Sequence, residues 1–136
     1  MAGMTGLWDG ALRDMRVLVA DDNPDLGMLL ETILTIAGAD VTLVTDGLIA
    51  AKSLGRTDFD LLVCDAEMPG LGGRELCTRL RAAGHGIPII IVSGHVGPQA
   101  ALVSRAAGAS AHLDKPFTPD ALIGCCLSVL DAWCSI

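Results

Sequence analysis

The chain has 136 residues, 51% of them hydrophobic, and a formal net charge of −7. This length suits one domain with one substantial core. The acidic balance argues against a nucleic-acid surface on this domain, because phosphate binding needs clustered Lys and Arg. No apolar run approaches the roughly 20 residues of a membrane span. The N-terminus also lacks the basic start, apolar centre and cleavage site of a signal peptide, so we expect a cytoplasmic protein that does not bind membranes.

Five cysteines, at positions 64, 77, 125, 126 and 134, form an odd set. The set contains no C-x-x-C pair and has no histidine partners at metal-binding spacing. Most of these cysteines lie in apolar runs, so we interpret them as thiols that fill the core.

Short apolar runs alternate with longer stretches at helical spacing, which is typical of repeated βαβ units. Strands are predicted over residues 16–20, 40–44, 59–64, 88–92 and 110–113. Helices are predicted over residues 24–37, 46–54, 74–83 and 119–133, with a further helix inside 94–108. Strand 40–44 is more polar than the other predicted strands, as expected for a strand at the edge of a sheet.

Local signals place the helix ends. Pro24 at a first-turn position, with Asp22 or Asn23 as the cap, starts the first helix, and Gly38 stops it. Thr118 is expected to cap the last helix. The apolar residues of the first helix predict its inner face, which comprises Leu26, Leu29, Leu30, Ile33, Leu34 and Ala37.

Five parallel strands with right-handed crossovers and helices on both faces predict an α/β fold, a flavodoxin-like doubly wound (βα)5 three-layer sandwich with strand order 2-1-3-4-5. In that order the ligand crevice lies at the carboxyl ends of the first and third strands. We assign residues 16–133 to this domain. Residues 1–15 are assigned to an N-terminal extension, for which the sequence predicts neither order nor disorder. Residues 134–136 are assigned to a C-terminal tail.

Polar side chains follow the predicted strands. Asp21 and Asp22 follow the first strand, Asp65 the third, Ser93 the fourth and Lys115 the fifth. Three carboxylates about 4 Å apart would repel one another by about 4 kcal/mol per pair at an effective dielectric near 20, unless a cation lies between them. A hard divalent ion such as Mg²⁺ (or Mn²⁺) takes carboxylate, carbonyl and phosphoryl oxygens. The hydroxyl and the ammonium would bind further phosphoryl oxygens, an arrangement that suits phosphoryl transfer.

This pattern resembles the receiver domain of bacterial response regulators over roughly residues 15–133. The resemblance rests on motifs in a fixed order, since any one alone would be weak. The motifs are Asp21-Asp22, Asp65 with Met68-Pro69-Gly70, Ser93, and Lys115-Pro116-Phe117.

The resemblance implies roles for these residues. Asp65 would be the phosphoacceptor nucleophile, and Asp22, Asp65 and the backbone carbonyl of Glu67 would bind Mg²⁺ directly, with Asp21 acting through water. Ser93 and Lys115 would bind the phosphoryl group, and the Lys115–Pro116 bond would be cis. The phosphoryl donor would be a histidine kinase or a histidine phosphotransfer protein. The domain would not be a conventional enzyme, although it would phosphorylate itself from phosphodonors and dephosphorylate slowly.

One residue departs from the pattern of the family, and two others lie close to the residues that carry the resemblance. The family usually carries Tyr or Phe three residues before the lysine, as a switch residue that moves with the serine, whereas this chain has His112 there. His112 is either a switch residue together with Ser93 or a passive, half-buried side chain. Glu67 and His95 lie two residues beyond Asp65 and Ser93 and are interpreted as residues at the mouth of the site.

The last helix is unusual because residues 121–130 carry no charge. A helix that is apolar all round requires cover on every side. It is either a fully packed core helix or, as we expect, part of a homodimer or partner surface together with the fourth helix and the fifth strand.

Two other functions are compatible with parts of the pattern. A phosphorylation-independent docking module would keep the pocket as a relic. A small hydrolase of the haloacid dehalogenase type also uses an Asp nucleophile and Mg²⁺, but its acid usually lies two residues past the nucleophile, where this chain has Glu67. The preferred function is a phosphoacceptor receiver that is a stand-alone regulator or a domain of a larger protein.

Overall fold

Strands and helices alternate along the chain in the computed structural model, which describes residues 8–134. The elements are β1 (Arg16–Ala20), α1 (Pro24–Ile36), β2 (Asp40–Val44), α2 (Gly47–Arg56), β3 (Leu61–Asp65), α3 (Gly73–Ala82), β4 (Ile89–Ser93), α4 (Pro98–Ala106), β5 (Ala111–Asp114) and α5 (Pro119–Cys134). The predicted alternation is therefore confirmed, with most element ends shifted by one or two residues.

The five strands form one parallel sheet in the order β2-β1-β3-β4-β5, as predicted. The register pairs Val17 of β1 with Val41 of β2 on one side and with Leu61 of β3 on the other. Since all strands run the same way, their carboxyl ends lie along one edge. That edge brings together the loops after β1, β3, β4 and β5.

Helices cover both faces of the sheet, so its central strands are buried on both sides. Val17 and Val19 belong to one core cluster, and Leu18 and Ala20 belong to the other. The first cluster includes residues of α1 and α5, and the second includes residues of α2 and α3. The molecule is the predicted three-layer sandwich.

Side-chain caps fix the helix starts close to the site. Asn23 Oδ1 accepts hydrogen bonds from the backbone N–H groups of Asp25 and Leu26. Of the two predicted candidates, Asp22 and Asn23, it is therefore Asn23 that caps α1. Thr118 Oγ1 accepts a hydrogen bond from Ala121 N at 3.1 Å, as predicted for α5. These caps hold the loops after β1 and β5 in place.

One prediction from periodicity was wrong. Leu29, assigned to the inner face of α1, is 48% exposed, while Gly27 is buried and lies against Leu43. The α1 face is therefore rotated towards Gly27, which lets the helix approach β2 closely. The fourth helix lies inside residues 94–108, as predicted, and begins at Pro98, because β4 continues to Ser93 and a loop separates the two elements.

The N-terminal segment from Trp8 onwards packs on the domain. Trp8 is 8% exposed and Leu12 is fully buried, and both belong to the core cluster beneath α1 and α5. Trp8 Nε1 donates a hydrogen bond to Asp120 Oδ1 at 2.6 Å, and Leu12 N donates to Ala37 O at 2.8 Å. The part of the predicted extension at residues 8–15 thus contributes to the core. Residues 1–7, and residues 135–136 of the predicted tail, lie outside the described part.

Three of the five cysteines are buried core residues, in line with the prediction for most of the set. Cys64, Cys77 and Cys126 are buried, and all three thiols are free. Burial raises the pKa of Cys77 to about 11 and that of Cys126 to about 12. These thiols therefore stay protonated at neutral pH.

Helix α5 buries one face and exposes the other. Its inner face includes Leu122, Ile123 and Cys126, while Leu127 is 42% exposed. Among residues 8–134, no helix is long and apolar enough to cross a membrane.

Candidate functional site

Three carboxylates meet at the carboxyl edge of the sheet. Asp21 and Asp22 follow β1, and Asp65 is the last residue of the adjacent strand β3. One carboxylate oxygen from each residue lies within 4.8 Å of the other two. Asp21 and Asp65 are buried, whereas Asp22 is exposed, so the cluster opens to solvent on the side of Asp22. The sequence pattern predicted this convergence.

Asp21 is in an unfavourable environment for a charge. Its Oδ1 accepts a hydrogen bond from Asn23 N at 2.9 Å, but its Oδ2 is buried and has no hydrogen-bond partner among the described residues. Burial, followed by repulsion from Asp65 and Asp22, raises the pKa of the Asp21 carboxyl above its ordinary value. The Asn23 N–H and the Lys115 ammonium act in the opposite direction but do not cancel this shift.

Asp65 forms an ion pair with Lys115. Lys115 Nζ donates to Asp65 Oδ1 at 3.1 Å, and Glu67 N donates to the same oxygen at 3.3 Å. The Lys115 side chain is 26% exposed and that of Asp65 is 9% exposed, so a small anion has access to the pair. The Lys115–Pro116 peptide is cis, as expected.

Ser93 is the last residue of β4 and is buried. Its Oγ accepts a hydrogen bond from His95 N at 3.0 Å, and its carbonyl oxygen accepts one from Lys115 N at 2.8 Å. Asp65 pairs in register with Val92, so Ser93 follows directly after the partner of Asp65. The Ser93 hydroxyl and the Lys115 ammonium, both predicted for the site, therefore belong to residues that lie next to each other at the carboxyl edge of the sheet.

A close approach of backbone atoms shapes the loop after β3. A Cβ atom on Gly73 would lie 2.4 Å from the carbonyl oxygen of Asp65, well inside contact distance. Gly73 N also donates a hydrogen bond to Ala66 O at 3.0 Å. The start of α3 thus packs directly against the end of β3, and only glycine allows this distance.

The donor set fits a hard divalent cation. Carboxylate oxygens of three residues converge, and Asp21 also has a buried carboxylate oxygen, Oδ2, with no partner in the described structure. An unpaired buried carboxylate oxygen is costly unless a cation or a donor satisfies it. Carboxylate oxygen is also the ligand type that Mg²⁺ prefers.

The mouth of the site carries a second pair. The side chains of Glu67 and His95 contact each other through Oε1 and Nε2, and they are 64% and 70% exposed. Both were predicted to be mouth residues, and the contact between them was not predicted. It joins the loop after β3 to the loop after β4.

His112 lies on β5 with its side chain 2% exposed. Its Nδ1 lies 2.7 Å from Ser104 Oγ on α4, and its Nε2 lies 3.1 Å from Asp114 Oδ1. Sequence reasoning missed Ser104 and Asp114. The one available signal was a serine that follows the apolar run 100–103 in the fourth helix, and it did not indicate a partner.

Comparison with known proteins agrees with this architecture. The family model described as "Response regulator receiver domain" matches residues 17–125. Response regulator RppA of Synechocystis is 36% identical over 105 residues, which cover 76% of this chain and 45% of RppA. Transcriptional regulatory protein TcrA of Mycobacterium tuberculosis is 33% identical over 113 residues, which cover 83% of this chain and 45% of TcrA. The chain thus spans less than half the length of these relatives.

Solved structures share the fold. The receiver domain of the Francisella response regulator 1452 superposes with a TM-score of 0.83 at 30% identity, covering 89% of this chain and 99% of that one. Chemotaxis response regulator CheY4 of Vibrio cholerae gives a TM-score of 0.80 at 27% identity, covering 85% and 98%. With the five-stranded order, the acidic cluster and the family match over residues 17–125 all in agreement, this chain belongs to the receiver domain family of two-component response regulators.

Proposed function

We propose that Asp65 accepts a phosphoryl group from a histidine kinase or a histidine phosphotransfer protein, and that this change switches a surface of the domain. The single observation that carries the proposal is the environment of Asp65. Its carboxylate lies beside Asp21 and Asp22 and is paired at 3.1 Å with Lys115. A buried carboxylate beside two others is unfavourable for the stability of the fold. Such groups are concentrated at functional sites, which makes Asp65 a functional-site candidate.

The proposed reaction is a transfer between two nucleophiles. An oxygen of Asp65 forms a bond to phosphorus while the phosphorus–nitrogen bond of the donor phosphohistidine breaks, and the leaving imidazole keeps the electron pair of that bond and takes up a proton. Lys115 binds a phosphoryl oxygen through its ammonium group, and Ser93 binds another through its hydroxyl. This role for Lys115 requires that it leave Asp65 Oδ1 in part, and its partial exposure permits that movement.

Mg²⁺ or Mn²⁺ is the proposed cofactor. Asp22, Asp65 and the backbone carbonyl of Glu67 would hold the ion directly, and Asp21 would act through water. The bound ion supplies charge neutralisation for the carboxylates and for the phosphoryl oxygens. Asp21 Oδ2, which lacks a partner in the described structure, supports this assignment.

A groove next to the site suits the phosphoryl donor. Its lining combines Lys115 of the site with Leu26, Leu29, Pro116 and Phe117. The exposed side chain of Leu29 is therefore explained if a donor helix that carries the phosphohistidine packs here. Because the groove includes Lys115, whose ammonium contacts Asp65, it supports an approach of the donor to Asp65 from this side.

The switched surface is proposed at α4, β5 and α5. Leu102 and Val103 of α4 are 66% and 47% exposed, and Leu127 of α5 is 42% exposed. Exposed apolar side chains of this size favour contact with a partner or with a second copy of the chain. Ser93 and His112 are the proposed switch residues between Asp65 and this surface. The domain itself is proposed to act in the cytoplasm and to make no direct contact with nucleic acid.

Incubation with acetyl phosphate and Mg²⁺, followed by intact-mass measurement, tests the proposal. We expect one acid-stable, base-labile phosphoryl group on the parent chain and none on Asp65→Asn. Asp58→Asn, which changes an exposed carboxylate outside the cluster, is the matched control and should be labelled like the parent. Equal labelling of Asp65→Asn and the parent would contradict the assignment, as would the absence of labelling on both.

A further inference from the structure

Helices α2 and α3 lie side by side on one face of the sheet, and a groove of about 510 Å³ separates their outer surfaces. The floor of this α2–α3 groove is apolar, because Leu76 and Leu80 of α3 belong to the core cluster beneath it. Four small residues form much of the remaining lining, namely Ala51, Gly55, Ala83 and Gly84. The volume lies within the range of about 300–1,000 Å³ that is typical of ligand sites, so the groove has room for apolar side chains of a partner.

Gly55 keeps the α2–α3 groove open although the fold does not require a glycine there. It lies within α2, where glycine is less favourable than alanine. A Cβ atom at position 55 would meet no group of the described structure within 4 Å, so a larger side chain has space. Gly84 differs, because its φ of +81° is a left-handed conformation that favours glycine after a helix. Packing of the domain therefore does not explain the open space beside Gly55.

The two helices also concentrate positive charge in an acidic chain. Five of the nine Lys and Arg residues lie on α2 and α3, together with one of the 16 Asp and Glu residues. Lys52 and Arg56 each follow a lining residue of α2, and Arg79 lines the groove itself. All three are exposed. The contact of Arg79 with Glu75, at 3.4 Å, is weak because both side chains are largely exposed. These three cations are therefore available to the carboxylates of a partner.

The apolar surface continues along α2 beyond the groove. Leu48 is 51% exposed. Leu48, Ala51 and Gly55 are spaced three and four residues apart, so they share one face of the helix. This face is about two turns long, or about 10 Å at the rise of an α-helix. An elongated apolar strip with cations beside it suits a helix better than a small molecule.

We propose that the α2–α3 groove binds an amphipathic helix of a partner protein, whose apolar side chains pack on Leu76 and Leu80. Acidic residues beside the apolar face of that helix pair with Lys52, Arg56 and Arg79. A helix laid into an apolar groove is a recurring mode of protein recognition. Opposite charges at the rim increase the association rate and select the partner.

Other occupants fit the α2–α3 groove less well. Neither helix carries an aromatic residue on which a nucleic-acid base could stack, and the apolar floor offers no donor to phosphates. The lining also contains neither Asp65 nor Lys115. The inference therefore goes beyond the proposed function and does not depend on it.

An NMR titration with two synthetic peptides tests the proposal without any phosphodonor. Both peptides are amphipathic helices of about 15 residues with leucine on one face. One carries glutamate beside that face, and the other carries lysine at the same positions. We expect the glutamate peptide to shift the amide signals of Ala51, Gly55 and Gly84 in a saturable way, and the lysine peptide to bind at least about tenfold more weakly. Equal binding of the two peptides, or glutamate-peptide shifts that leave these amides unchanged, would overturn the proposal.

Gly55→Leu fills the groove and should weaken binding of the glutamate peptide by about tenfold, because the apolar side chains of the peptide lose their position. Gly124→Leu is the matched control. It makes the same change at an exposed glycine of α5 whose Cβ would also meet no group of the described structure within 4 Å, and it should bind like the parent. Equal affinities of Gly55→Leu and the parent would contradict the assignment of the groove.

The role of charge is tested with Arg79→Glu. This variant should bind the glutamate peptide about fivefold more weakly than the parent, and its binding should depend less on salt. Arg13→Glu reverses an exposed charge outside the two helices and should bind like the parent. Identical effects of the two reversals would mean that net charge rather than this rim attracts the peptide, against the proposal.

Two measurements on the parent distinguish the partner helix from other occupants. Light scattering over a range of protein concentrations should show no association that Gly55→Leu abolishes. A single-stranded thymidine oligonucleotide should not shift the amides of the groove. Association that Gly55→Leu abolishes would assign the groove to a second copy of the chain, and saturable oligonucleotide shifts would assign it to nucleic acid. Either result would overturn the proposal.

Discussion

Lys115 and Asp65 are 50 positions apart in the chain, and their Nζ and Oδ1 atoms lie 3.1 Å from each other. The two residues reach this distance because β3 and β5 flank β4 in one parallel sheet and end at the same edge. Lys115 also acts to lower the pKa of Asp21, so its ammonium group acts on both buried carboxylates of the cluster. The lysine thus contacts the proposed acceptor from a loop that leads directly into the α4–β5–α5 surface.

Replacing Lys115 by Ala should separate phosphorylation from its consequences. The variant keeps Asp65 and the acidic cluster, so we expect intact mass to show a phosphoryl group after treatment with acetyl phosphate and Mg²⁺. Without the ammonium, the phosphoryl group has no charged contact with the loop before α5. The hydrogen-exchange difference between phosphorylated and unphosphorylated protein should therefore disappear in α4 and β5.

Lys52→Ala is the control for this experiment, because Lys52 is an exposed lysine on α2. It should keep both the label and the exchange difference of the parent. An exchange response in Lys115→Ala equal to that of the parent would show that the lysine does not transmit the signal.

Asp21→Asn should stabilise the protein at neutral pH when no divalent cation is present. Folding raises the pKa of Asp21 above its ordinary value of 3.8, so the folded state binds this proton more tightly than the unfolded state. The stability contributed by this group is present below pH 3.8 and is lost as the pH rises through the raised pKa. At pH 7 we expect a gain on the order of 1 kcal/mol in the free energy of unfolding on removing the charge.

Urea unfolding at two pH values, with and without Mg²⁺, measures this effect. The gain should shrink at pH 3, where the carboxyl group of the parent is also protonated. Added Mg²⁺ should stabilise the parent more than Asp21→Asn, because binding to the folded state raises stability by mass action. A destabilised variant in metal-free buffer at pH 7 would show that the carboxylate is not in an unfavourable environment.

Two glycine substitutions should have opposite effects. The Cβ of Gly73→Ala would lie 2.4 Å from the Asp65 carbonyl oxygen, so the end of β3 or the start of α3 must move. We expect a loss of about 1–3 kcal/mol in the free energy of unfolding and slower phosphorylation of Asp65. Gly124→Ala, on the exposed face of α5 with no atom within 4 Å of the new Cβ, should stabilise the chain by about 0.5–1 kcal/mol. Equal effects of the two changes in urea unfolding would refute the close approach.

The sequence predicted the edge of the sheet and the residues that converge on it. Asp21, Asp65 and Lys115 could be placed together because parallel strands end at one edge, so the topology alone determines which loops are neighbours. The sequence determined the rotation of α1 about its own axis less well. Leu29 and Leu30 are adjacent apolar residues about 100° apart around the helix, and only the contact between Gly27 and Leu43 decides which of them faces the sheet.

Contacts between side chains of different elements were not predictable. The hydrogen bond between Ser104 and His112 depends on the rotation of α4 about its own axis, and the local pattern of that helix does not specify this rotation. The N-terminal segment posed a different problem. Residues 8–15 show neither a period of two nor one of 3.6, so the burial of Trp8 and Leu12 had no periodic signal.

The N-terminal segment should therefore stabilise the domain by an amount that two leucine substitutions can measure. Leu12 is fully buried in the core cluster with α1 and α5, so Leu12→Ala removes buried apolar surface and leaves a cavity. We expect a loss of about 2–5 kcal/mol in the free energy of unfolding, measured by urea denaturation. Leu102→Ala makes the same chemical change at a side chain that is 66% exposed and should stay within about 0.5 kcal/mol of the parent. A small effect of Leu12→Ala would mean that the segment is not part of the folded core, because a detached leucine has no burial to lose.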